Sequence, residues 1–158
     1  MDLVLKSESE ERTLALGTAI GAVLSPGDVV CLDGELGTGK TVLVRGMIKG
    51  RGYGGAVRSP TFTVIHTYPE VRLCHVDAYR LAGGDELIDI GIDDFLDGSW
   101  VCAVEWAYRV RPALPEKALA VKLAFGEAEN DRMITVRESG GWEGRLAGLI
   151  KELLRNGG

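Results

Sequence analysis

The sequence lacks most features that mark secreted, membrane-bound or metal-clustering proteins. Its 3 cysteines, Cys31, Cys74 and Cys102, lie in separate apolar runs, and no two have the short spacing of a zinc knuckle or a redox pair. The N-terminal stretch "MDLVLKSESE" has no basic region, and no apolar run approaches the roughly 20 residues that span a bilayer. We therefore expect buried thiols and a cytoplasmic protein that makes no membrane contact.

Positive charge is also scarce. Lys+Arg 18 against Asp+Glu 23 gives a formal net charge of -5, so the whole molecule lacks the basic footprint of a nucleic-acid binder. The length of 158 residues suits one domain with one hydrophobic core. Glycine is the one excess, with 22 residues, and it indicates tight turns and close backbone approaches. We predict a single domain over residues 1–158, in which any RNA contact is local or supplied by a partner.

The apolar pattern predicts a mixed α/β fold. Strands are predicted around residues 3–5 and in "DVVCLDG", "SPTFTVIHTY", "VRLCHVD", "WVCAVEW", "EKALAVKLAF" and "RMITVRE". Helices are predicted in "SESEERTLALGTAIGAVL", in "KTVLVRGMIKGRG", in one or two short pieces of "GGDELIDIGIDDFLDG", and in the C-terminal "GWEGRLAGLIKELLRNGG". Helices and strands around a central βα unit predict an α/β sandwich of three layers, with a mixed central sheet.

The stretch "DGELGTGKT" contains the pattern G-x-x-x-x-G-K-[ST], which Gly34, Gly39, Lys40 and Thr41 complete. Its glycines let backbone N–H groups surround phosphates, Lys40 reaches the β and γ oxygens, and the Thr41 hydroxyl ligates Mg²⁺. The motif lies between a buried-strand pattern and a helix, which is the context that a working loop requires. It predicts a P-loop NTPase-like sandwich that binds ATP or GTP.

Nucleotide hydrolysis also needs an acidic residue at the end of a buried strand, where it helps to hold Mg²⁺. Asp77 ends "VRLCHVD" and Glu105 ends "WVCAVE", so both side chains are expected at the edge of the sheet where open α/β folds bind ligands. Either acid alone is also compatible with a solvated strand end. Both together, beside the loop, predict a metal and water site.

Three further residues each admit two interpretations. Thr61 in "SPTFTV" is either a strand threonine after a proline turn or a switch hydroxyl that senses the γ-phosphate. His75, on the same strand face as Asp77, is more typical of a hydrogen-bonded buried histidine than of a metal ligand. Trp106 suits the core and the pocket wall equally.

Two basic groups are candidates for contacts with acidic ligands. Arg45 and Lys49 lie four apart on the predicted helix after the loop, followed closely by Arg51; they form either a solvated face or a docking site for an acidic partner or RNA backbone. Arg109 and Arg111, in "YRVRPALPEK", fall in a predicted loop. In a small-molecule kinase, such arginines would form a lid over the phosphates.

Several motifs together resemble those of one family. "GELGTGKT", "SPTFTVIHTY", "HVDAYRL", "ELIDIGIDDF", "VEW" and "LP" occur in the order and spacing of the bacterial TsaE (YjeE) family. These are small P-loop ATPases of tRNA threonylcarbamoyladenosine synthesis. The resemblance covers about residues 13–119, which is most of the chain. It implies an ATP- and Mg²⁺-dependent ATPase that supports this modification, with TsaD and TsaB proteins as partners and tRNA reached through their complex.

The resemblance also implies roles for the residues that match its motifs. Lys40 binds phosphate, Thr41 and Glu105 are on the metal side, Asp77 is an active-site acid near the γ-phosphate, its water and the metal, and Thr61 becomes a switch residue. Trp106 becomes an exposed functional residue. The implied nucleotide-binding residues are Glu35, Leu36, Gly37, Thr38, Gly39, Lys40, Thr41 and Val42, with Ser9 and Glu10 approaching the adenine and Arg132 assisting from the C-terminal strands.

One departure from the family pattern follows Trp106. The family usually continues "VEW" with a proline and often an acid, whereas Ala107 and Tyr108 stand here. We expect a differently shaped loop at this point. The sequence assigns no arginine finger, and its absence in cis predicts slow hydrolysis by the isolated protein and faster hydrolysis with a partner.

Three functional hypotheses remain open at the level of sequence. The first is an ATPase module whose cycle drives or resets a partner complex, which suits the single domain and the acidic charge. The second is a small-molecule P-loop kinase of similar length. The third is a nucleotide-gated adaptor without catalysis.

Overall fold

A computed structural model describes residues 2–137 and 145–156. The seven strands are β1 (Asp2–Ser7), β2 (Val29–Asp33), β3 (Ile65–Tyr68), β4 (Leu73–Asp77), β5 (Val101–Glu105), β6 (Leu119–Phe125) and β7 (Arg132–Arg137). The α-helices are α1 (Glu10–Val23), α2 (Lys40–Gly50), α3 (Gly84–Ile90) and α4 (Arg145–Asn156). Short 3₁₀ helices span Pro69–Val71, Ile92–Phe95 and Ala107–Ala113.

All seven strands form one sheet, in the order β1-β7-β6-β2-β5-β4-β3. The four central strands β6, β2, β5 and β4 run parallel. Strand β3 at one edge and strands β7 and β1 at the other pair antiparallel with their neighbours. This mixed sheet confirms the predicted α/β class, and the strand that precedes the glycine-rich loop lies at its centre.

Two apolar cores, one on each face of the sheet, give the three layers. Helices α1, α2 and α4 cover one face, where Leu16, Leu43 and Leu149 are buried. Helix α3 and the 3₁₀ helices cover the other, where Leu87, Ile92 and Val110 are buried. The central strands are apolar on both sides because both faces are covered, as parallel strands require.

Local sequence signals explain the ends of α1. The Ser9 hydroxyl accepts a hydrogen bond from the backbone N–H of Arg12 at 3.0 Å, and so occupies one of the N–H groups that have no partner within the helix. The helix ends at Val23, shortly before Pro26, whose ring cannot continue a helix.

The predicted strand over "SPTFTVIHTY" is too long. Only Ile65–Tyr68 is a strand, whereas the preceding residues turn, and Val64 donates its backbone N–H to the Pro60 carbonyl at 2.8 Å. Val64 has a φ of 66°, a left-handed conformation that ends extended pairing and reverses the chain. Thr61 therefore lies on a turn and not on a strand.

A second correction concerns "YRVRPALPEK". Arg109 and Arg111 lie on the 3₁₀ helix Ala107–Ala113, where a loop was expected. The buried side chains of Ala107 and Val110 hold this helix against the sheet. The C-terminal helix is confirmed over Arg145–Asn156, while residues 141–144 and the predicted frayed end at 157–158 lie outside the described residues.

Two expectations about the interior can be compared directly with the structure. Cys31, Cys74 and Cys102 are buried and free, as predicted. Among the described residues, no helix combines the length and apolar character needed to cross a bilayer.

Candidate functional site

The candidate site lies at the carboxyl ends of β2, β4 and β5. Asp77 and Glu105 are register partners on the neighbouring parallel strands β4 and β5, and Leu32 of β2 pairs with Glu105 on its other side. The glycine-rich loop leaves β2 directly after Asp33. The sheet therefore holds both predicted acids within one strand spacing of each other and beside the loop, as the sequence predicted.

Glycine is required where the loop bends. Gly37 and Gly39 have φ values of 85° and 101°, in a region that other residues adopt only with strain. A Cβ on Gly34 would come within 2.5 Å of the Leu123 carbonyl oxygen of β6. The loop is thus packed against the next strand of the sheet, and α2 begins immediately after it at Lys40.

The Lys40 side chain folds back over the glycine-rich loop. Its Nζ donates to the backbone carbonyls of Gly34 at 2.5 Å and Glu35 at 2.9 Å, and it lies 4.1 Å from the centre of the Trp106 ring. Burial lowers the pKa of Lys40 below its usual range, and the Glu105 and Asp77 carboxylates oppose that shift. The lysine thus stands between the loop and the two acids.

Trp106 reaches this position through an unusual backbone conformation. It follows β5 with a φ of 58°, and its N–H donates to the Leu32 carbonyl at 2.9 Å. Its side chain is half-buried and packs against the Tyr79 ring at a centroid distance of 4.9 Å. Trp106 therefore lines the site and also packs against the apolar core on that face, so it is half-buried and not exposed as the resemblance implied.

Glu105 is buried and held from two sides. The Thr41 hydroxyl donates to its two carboxylate oxygens, at 2.9 Å and 3.1 Å, and the Nε2 of the buried His75 lies 2.5 Å from Oε2. A threonine and an acid in this relation are the pair that positions Mg²⁺ in P-loop proteins. His75 is the hydrogen-bonded buried histidine that the sequence favoured, and its partner is Glu105.

Asp77 is in a different environment from Glu105. Its Oδ1 accepts the backbone N–H of Tyr79 at 3.0 Å, and its own N–H donates to the Val64 carbonyl at 2.8 Å. Burial raises the pKa of Asp77, with a smaller contribution from the nearby Glu105, against the lowering effect of the Tyr79 hydrogen bond. The turn that carries Thr61 is thus tied to the end of β4.

A cavity of about 380 Å³ joins these groups. It is lined by Leu36, Gly37, Gly39, Lys40, Thr41, Val42, Thr61, Asp77, Tyr79, Arg80, Glu105 and Trp106. Thr61 lies in its wall, with its hydroxyl 2.6 Å from that of Ser59. The four residues predicted as catalytic, Lys40, Thr61, Asp77 and Glu105, therefore face one space.

A second cavity, of about 150 Å³, lies on the other side of the loop. Ser9, Glu10, Thr38 and Arg132 are among its lining residues, and the Arg132 guanidinium donates to the Gly37 carbonyl at 3.3 Å. The structure thus brings Ser9 and Glu10, expected to approach the adenine, and Arg132, expected to assist, to one cavity beside the loop.

The predicted basic groups mostly have internal partners. Arg45 pairs with Glu10 at 3.1 Å, and Arg51 donates to the Leu24 carbonyl at 2.6 Å. Arg111 donates to the Pro115 carbonyl at 3.0 Å, while Arg109 lies over the Tyr79, Trp106 and Tyr108 rings. Neither Arg109 nor Arg111 lines either cavity, so the lid expected of a small-molecule kinase is not formed by them.

Sequence reasoning missed the contribution of "AYR" after Asp77. Tyr79 and Arg80 both line the larger cavity. The signal available was their position directly after a strand-end acid, where loops of α/β folds carry ligand-binding residues. The bond between His75 and Glu105 was also missed, because it depends on how two strands pair.

The donor set suits a magnesium nucleotide. Backbone N–H groups of the loop, the Lys40 ammonium and the N-terminal end of α2 are complementary to phosphate, and Thr41 and Glu105 supply oxygen atoms of the kind that Mg²⁺ prefers. Among the described residues, no cluster of three or more His, Cys, Asp or Glu side chains could hold a metal by itself.

Three comparisons with known proteins give one family. Residues 7–134 match the family model described as "Threonylcarbamoyl adenosine biosynthesis protein TsaE". A tRNA threonylcarbamoyladenosine biosynthesis protein TsaE from Bacillus subtilis is 36% identical over 96% of this chain and 93% of its own. The same-named protein from Streptomyces coelicolor is 43% identical over 77% of this chain and 86% of its own. A crystal structure of Bacillus subtilis YdiB superposes with a TM-score of 0.79 and 31% identity, and it covers 100% of this chain and 97% of that one.

Proposed function

The chain belongs to the TsaE family of tRNA threonylcarbamoyladenosine biosynthesis proteins, and on that premise we propose that it binds and hydrolyses ATP in support of this modification. The observation that carries the proposal is that Lys40, Thr41 and Glu105 meet at one cavity. Lys40 crosses the loop, and Thr41 is hydrogen-bonded to the buried carboxylate of Glu105. A loop that bound only an anion would need no such acid.

Each residue then has a defined role in hydrolysis. The loop N–H groups and Lys40 hold the β- and γ-phosphates, and Thr41 and Glu105 are the residues that would hold Mg²⁺. When bound, Mg²⁺ supplies positive charge that offsets the charge developing on the phosphate oxygens. Asp77 is the register partner of Glu105 at the same edge of the sheet, and its proposed role is to orient the attacking water near the γ-phosphate and the metal.

In the proposed reaction, a water oxygen forms a bond to the γ-phosphorus in line with the leaving group. The bond between the γ-phosphorus and the bridging oxygen breaks, and its electrons remain on that oxygen of ADP. The water proton passes to solvent or to the released phosphate. Thr61, on the turn tied to Asp77, is the proposed sensor of the γ-phosphate.

We propose the TsaD–TsaB complex as the partner, with tRNA reached through that complex in the cytoplasm. The rim of the larger cavity supports a docking partner, because Leu36, Phe62, Tyr79 and Tyr108 expose large apolar or aromatic surfaces there. Exposed apolar groups that cluster around one site are typical of protein contacts. The acidic net charge of -5 is in keeping with contact through protein rather than RNA backbone.

The two other hypotheses make different predictions. A small-molecule kinase would phosphorylate a metabolite stoichiometrically, whereas the proposed ATPase releases inorganic phosphate without an acceptor. A nucleotide-gated adaptor would keep its function in Glu105→Ala and lose nucleotide binding and partner docking in Lys40→Ala. Arg109 and Arg111 do not line the larger cavity, and Arg111 is bonded to the Pro115 carbonyl. They therefore form no lid over the phosphates, and we prefer ATP hydrolysis to the kinase hypothesis.

The proposal is tested by reconstitution of the tRNA modification with the partner complex over multiple turnovers. We expect Lys40→Ala to abolish ATP hydrolysis and to stop modification after the first round, because the phosphates lose their fixed counter-charge. Lys49→Ala is the matched control, since it removes an exposed lysine from the same helix. Partner addition should accelerate phosphate release by the wild-type protein.

Three results would each contradict part of this proposal. Equal multiple-turnover modification by wild type and Lys40→Ala would remove the assigned role. Stoichiometric phosphorylation of a metabolite would favour the kinase. Full-speed hydrolysis by the isolated protein, unchanged by the partners, would exclude partner stimulation.

A further inference from the structure

Arg80 occupies a position that the site residues found from sequence leave unfilled. It lines the larger cavity together with Lys40, Thr41, Asp77 and Glu105. Its backbone belongs to a turn held at both ends: Ala78 donates its N–H to the Glu105 carbonyl and Leu81 donates to the Ala78 carbonyl, both at 3.0 Å. The backbone at Arg80 is therefore held against β5, the strand that carries Glu105.

The guanidinium of Arg80, in contrast, is lightly held. It lies 4.8 Å from the centre of the Phe62 ring, and within residues 2–137 and 145–156 it makes no hydrogen bond or ion pair. Phe62 is itself 83% exposed and sits on the turn next to Thr61. An exposed cation–π contact is weak, so the Arg80 side chain can leave the ring at little cost.

Other arginines near the site are committed elsewhere. Arg45 and Arg132 bond to Glu10 and to the Gly37 carbonyl. Arg109 does not line the larger cavity, and its guanidinium lies over the Tyr79, Trp106 and Tyr108 rings. Arg80 is the arginine of the larger cavity that combines an anchored backbone with an uncommitted guanidinium.

The balance of charge in the larger cavity favours a second cationic side chain. Lys40 is the other cation that lines it, and Asp77 and Glu105 bring two carboxylates. During hydrolysis negative charge accumulates on the γ-phosphate and on the leaving oxygen. A planar guanidinium suits this task better than an ammonium, because it donates two parallel hydrogen bonds to phosphate oxygens.

We propose that Arg80 is a catalytic residue, an arginine finger in cis whose guanidinium turns from the Phe62 ring onto the γ-phosphate during hydrolysis. This inference rests on the proposed ATP hydrolysis. The bonds that form and break are those of hydrolysis itself: water oxygen to γ-phosphorus forms, γ-phosphorus to bridging oxygen breaks, and Arg80 neutralises charge without exchanging a proton. Because the Phe62 contact is weak, it does not hinder this movement of the Arg80 side chain.

The test measures three quantities for wild type, Arg80→Ala and Arg80→Lys, each alone and with the partner complex. These are kcat for phosphate release, Kd for ADP, and binding of ADP with aluminium fluoride, which imitates the transferring phosphoryl group. Arg72→Ala is the matched control, because Arg72 is also exposed and lies 4.6 Å from the Trp100 ring centre. It precedes β4 at the end away from the site.

We expect Arg80→Ala to lower kcat by about 10³-fold, in the range of other arginine fingers, and to change the ADP affinity by less than about threefold, because the group acts on the transition state. Binding of the fluoride complex should fall with kcat, and Arg80→Lys should recover a minor part of both. Arg72→Ala should match wild type.

Three outcomes separate this inference from the proposed function. If wild type hydrolyses ATP and Arg80→Ala is as fast, the role of Arg80 is refuted and the ATPase stands. If ADP affinity falls as much as kcat, Arg80 is a binding residue and not a catalytic one. If wild type releases no phosphate even with the partner complex, the ATPase itself is refuted, and Arg80 with it.

Discussion

Lys40 and Asp77 hold ionisable groups where water is scarce. Burial lowers the pKa of Lys40 and raises that of Asp77, which means that the charged form of each is disfavoured relative to the unfolded chain. Such groups reduce the stability of a protein while they serve its chemistry. The site therefore lowers the free energy of unfolding, and a single substitution that removes a buried charge should raise it.

Asp77→Asn should stabilise the protein in the absence of nucleotide and metal. The amide oxygen can still accept the Tyr79 N–H that Oδ1 accepts now, while the buried charge disappears. We expect the free energy of unfolding at neutral pH to rise by about 0.5–1 kcal/mol, typical of such exchanges, and ATP hydrolysis to be lost. Urea unfolding in EDTA measures the first effect, and phosphate release the second.

The same substitution predicts a pH dependence of known sign. Because the pKa of Asp77 is raised in the folded state, the stability that its protonated form contributes is fully present below the unfolded value and is lost as pH rises through the folded pKa. The advantage of Asp77→Asn should thus be largest at neutral pH and should fade as the solution is acidified. An advantage that grows on acidification would show that burial does not dominate.

At the scale of single residues, the sequence predicted the motif residues but not the side chains that they contact. Lys40 and Thr41 follow from a local pattern, and Asp77 and Glu105 from the ends of buried strands. The bond from His75 to Glu105 joins strands that are far apart in sequence, so it requires the pairing of β4 with β5. The place of Arg80 in the cavity likewise depends on where the turn after β4 meets the loop.

At the scale of elements, helices α1 and α2 cross unusually closely. A Cβ on Gly17 would lie 2.1 Å from the Leu43 carbonyl oxygen, and one on Gly46 would lie 2.2 Å from that of Leu14. Gly21 and Gly50 are equally crowded by backbone of the opposite helix. Each helix thus presents a pair of glycines four residues apart, and the α2 that carries Lys40 is placed by this contact.

Gly46→Ala should therefore be strongly destabilising, although alanine is the better helix former. The added methyl group must push backbone from backbone, so we expect a loss of about 2–3 kcal/mol or more, at the upper end for overpacking. Gly148→Ala in α4 is the matched control, because its Cβ would only touch Val23 at 3.8 Å. That change should be neutral or stabilising by up to about 1 kcal/mol.

Thermal unfolding of both variants measures the difference. A Gly46→Ala protein as stable as Gly148→Ala would mean that α1 and α2 can separate without loss. The excess of glycine in the sequence indicated close backbone approaches, but only the packed pair of helices shows which glycines make them.

Periodicity predicted the regular elements because each has enough apolar residues to define a buried face. Periodicity gave wrong predictions where one or two backbone angles determine the direction of the chain. The strand predicted through Thr61 is cut short by the positive φ of Val64. The segment predicted as a loop after Trp106 is 3₁₀-helical with a kink at Val110, and the buried side chains of Ala107 and Val110 hold it against the sheet.

At the scale of the whole molecule, an ion pair of α4 lies at the opposite end of β2 from the candidate site. Arg145, at the start of α4, bonds through both guanidinium ends to Asp28 at 2.5 and 2.7 Å, just before β2 begins at Val29. The loop and the two acids lie where the strands end. Arg145 also donates to the Val23 carbonyl of α1 at 2.7 Å, so it joins α1 to the start of β2, at the end away from the candidate site.

Leu149→Ala should therefore weaken the fold and leave the site intact. Leu149 is 1% exposed in the core beneath α4, and truncation of such a leucine costs about 2–5 kcal/mol. We expect a lower unfolding midpoint but an unchanged Kd for ATP at temperatures well below that midpoint. Val4→Ala, at a side chain 57% exposed, is the control. A weakened ATP affinity in Leu149→Ala would show that α4 and the site are coupled.

The central place of β2 also determines when the protein can first hold a ligand during its synthesis. The loop is encoded early, but the strands that flank β2 are Val101–Glu105 and Leu119–Phe125. A nascent chain must leave the ribosome through most of its length before both neighbours are present. ATP is therefore expected to stabilise the finished molecule, but not to guide its early folding.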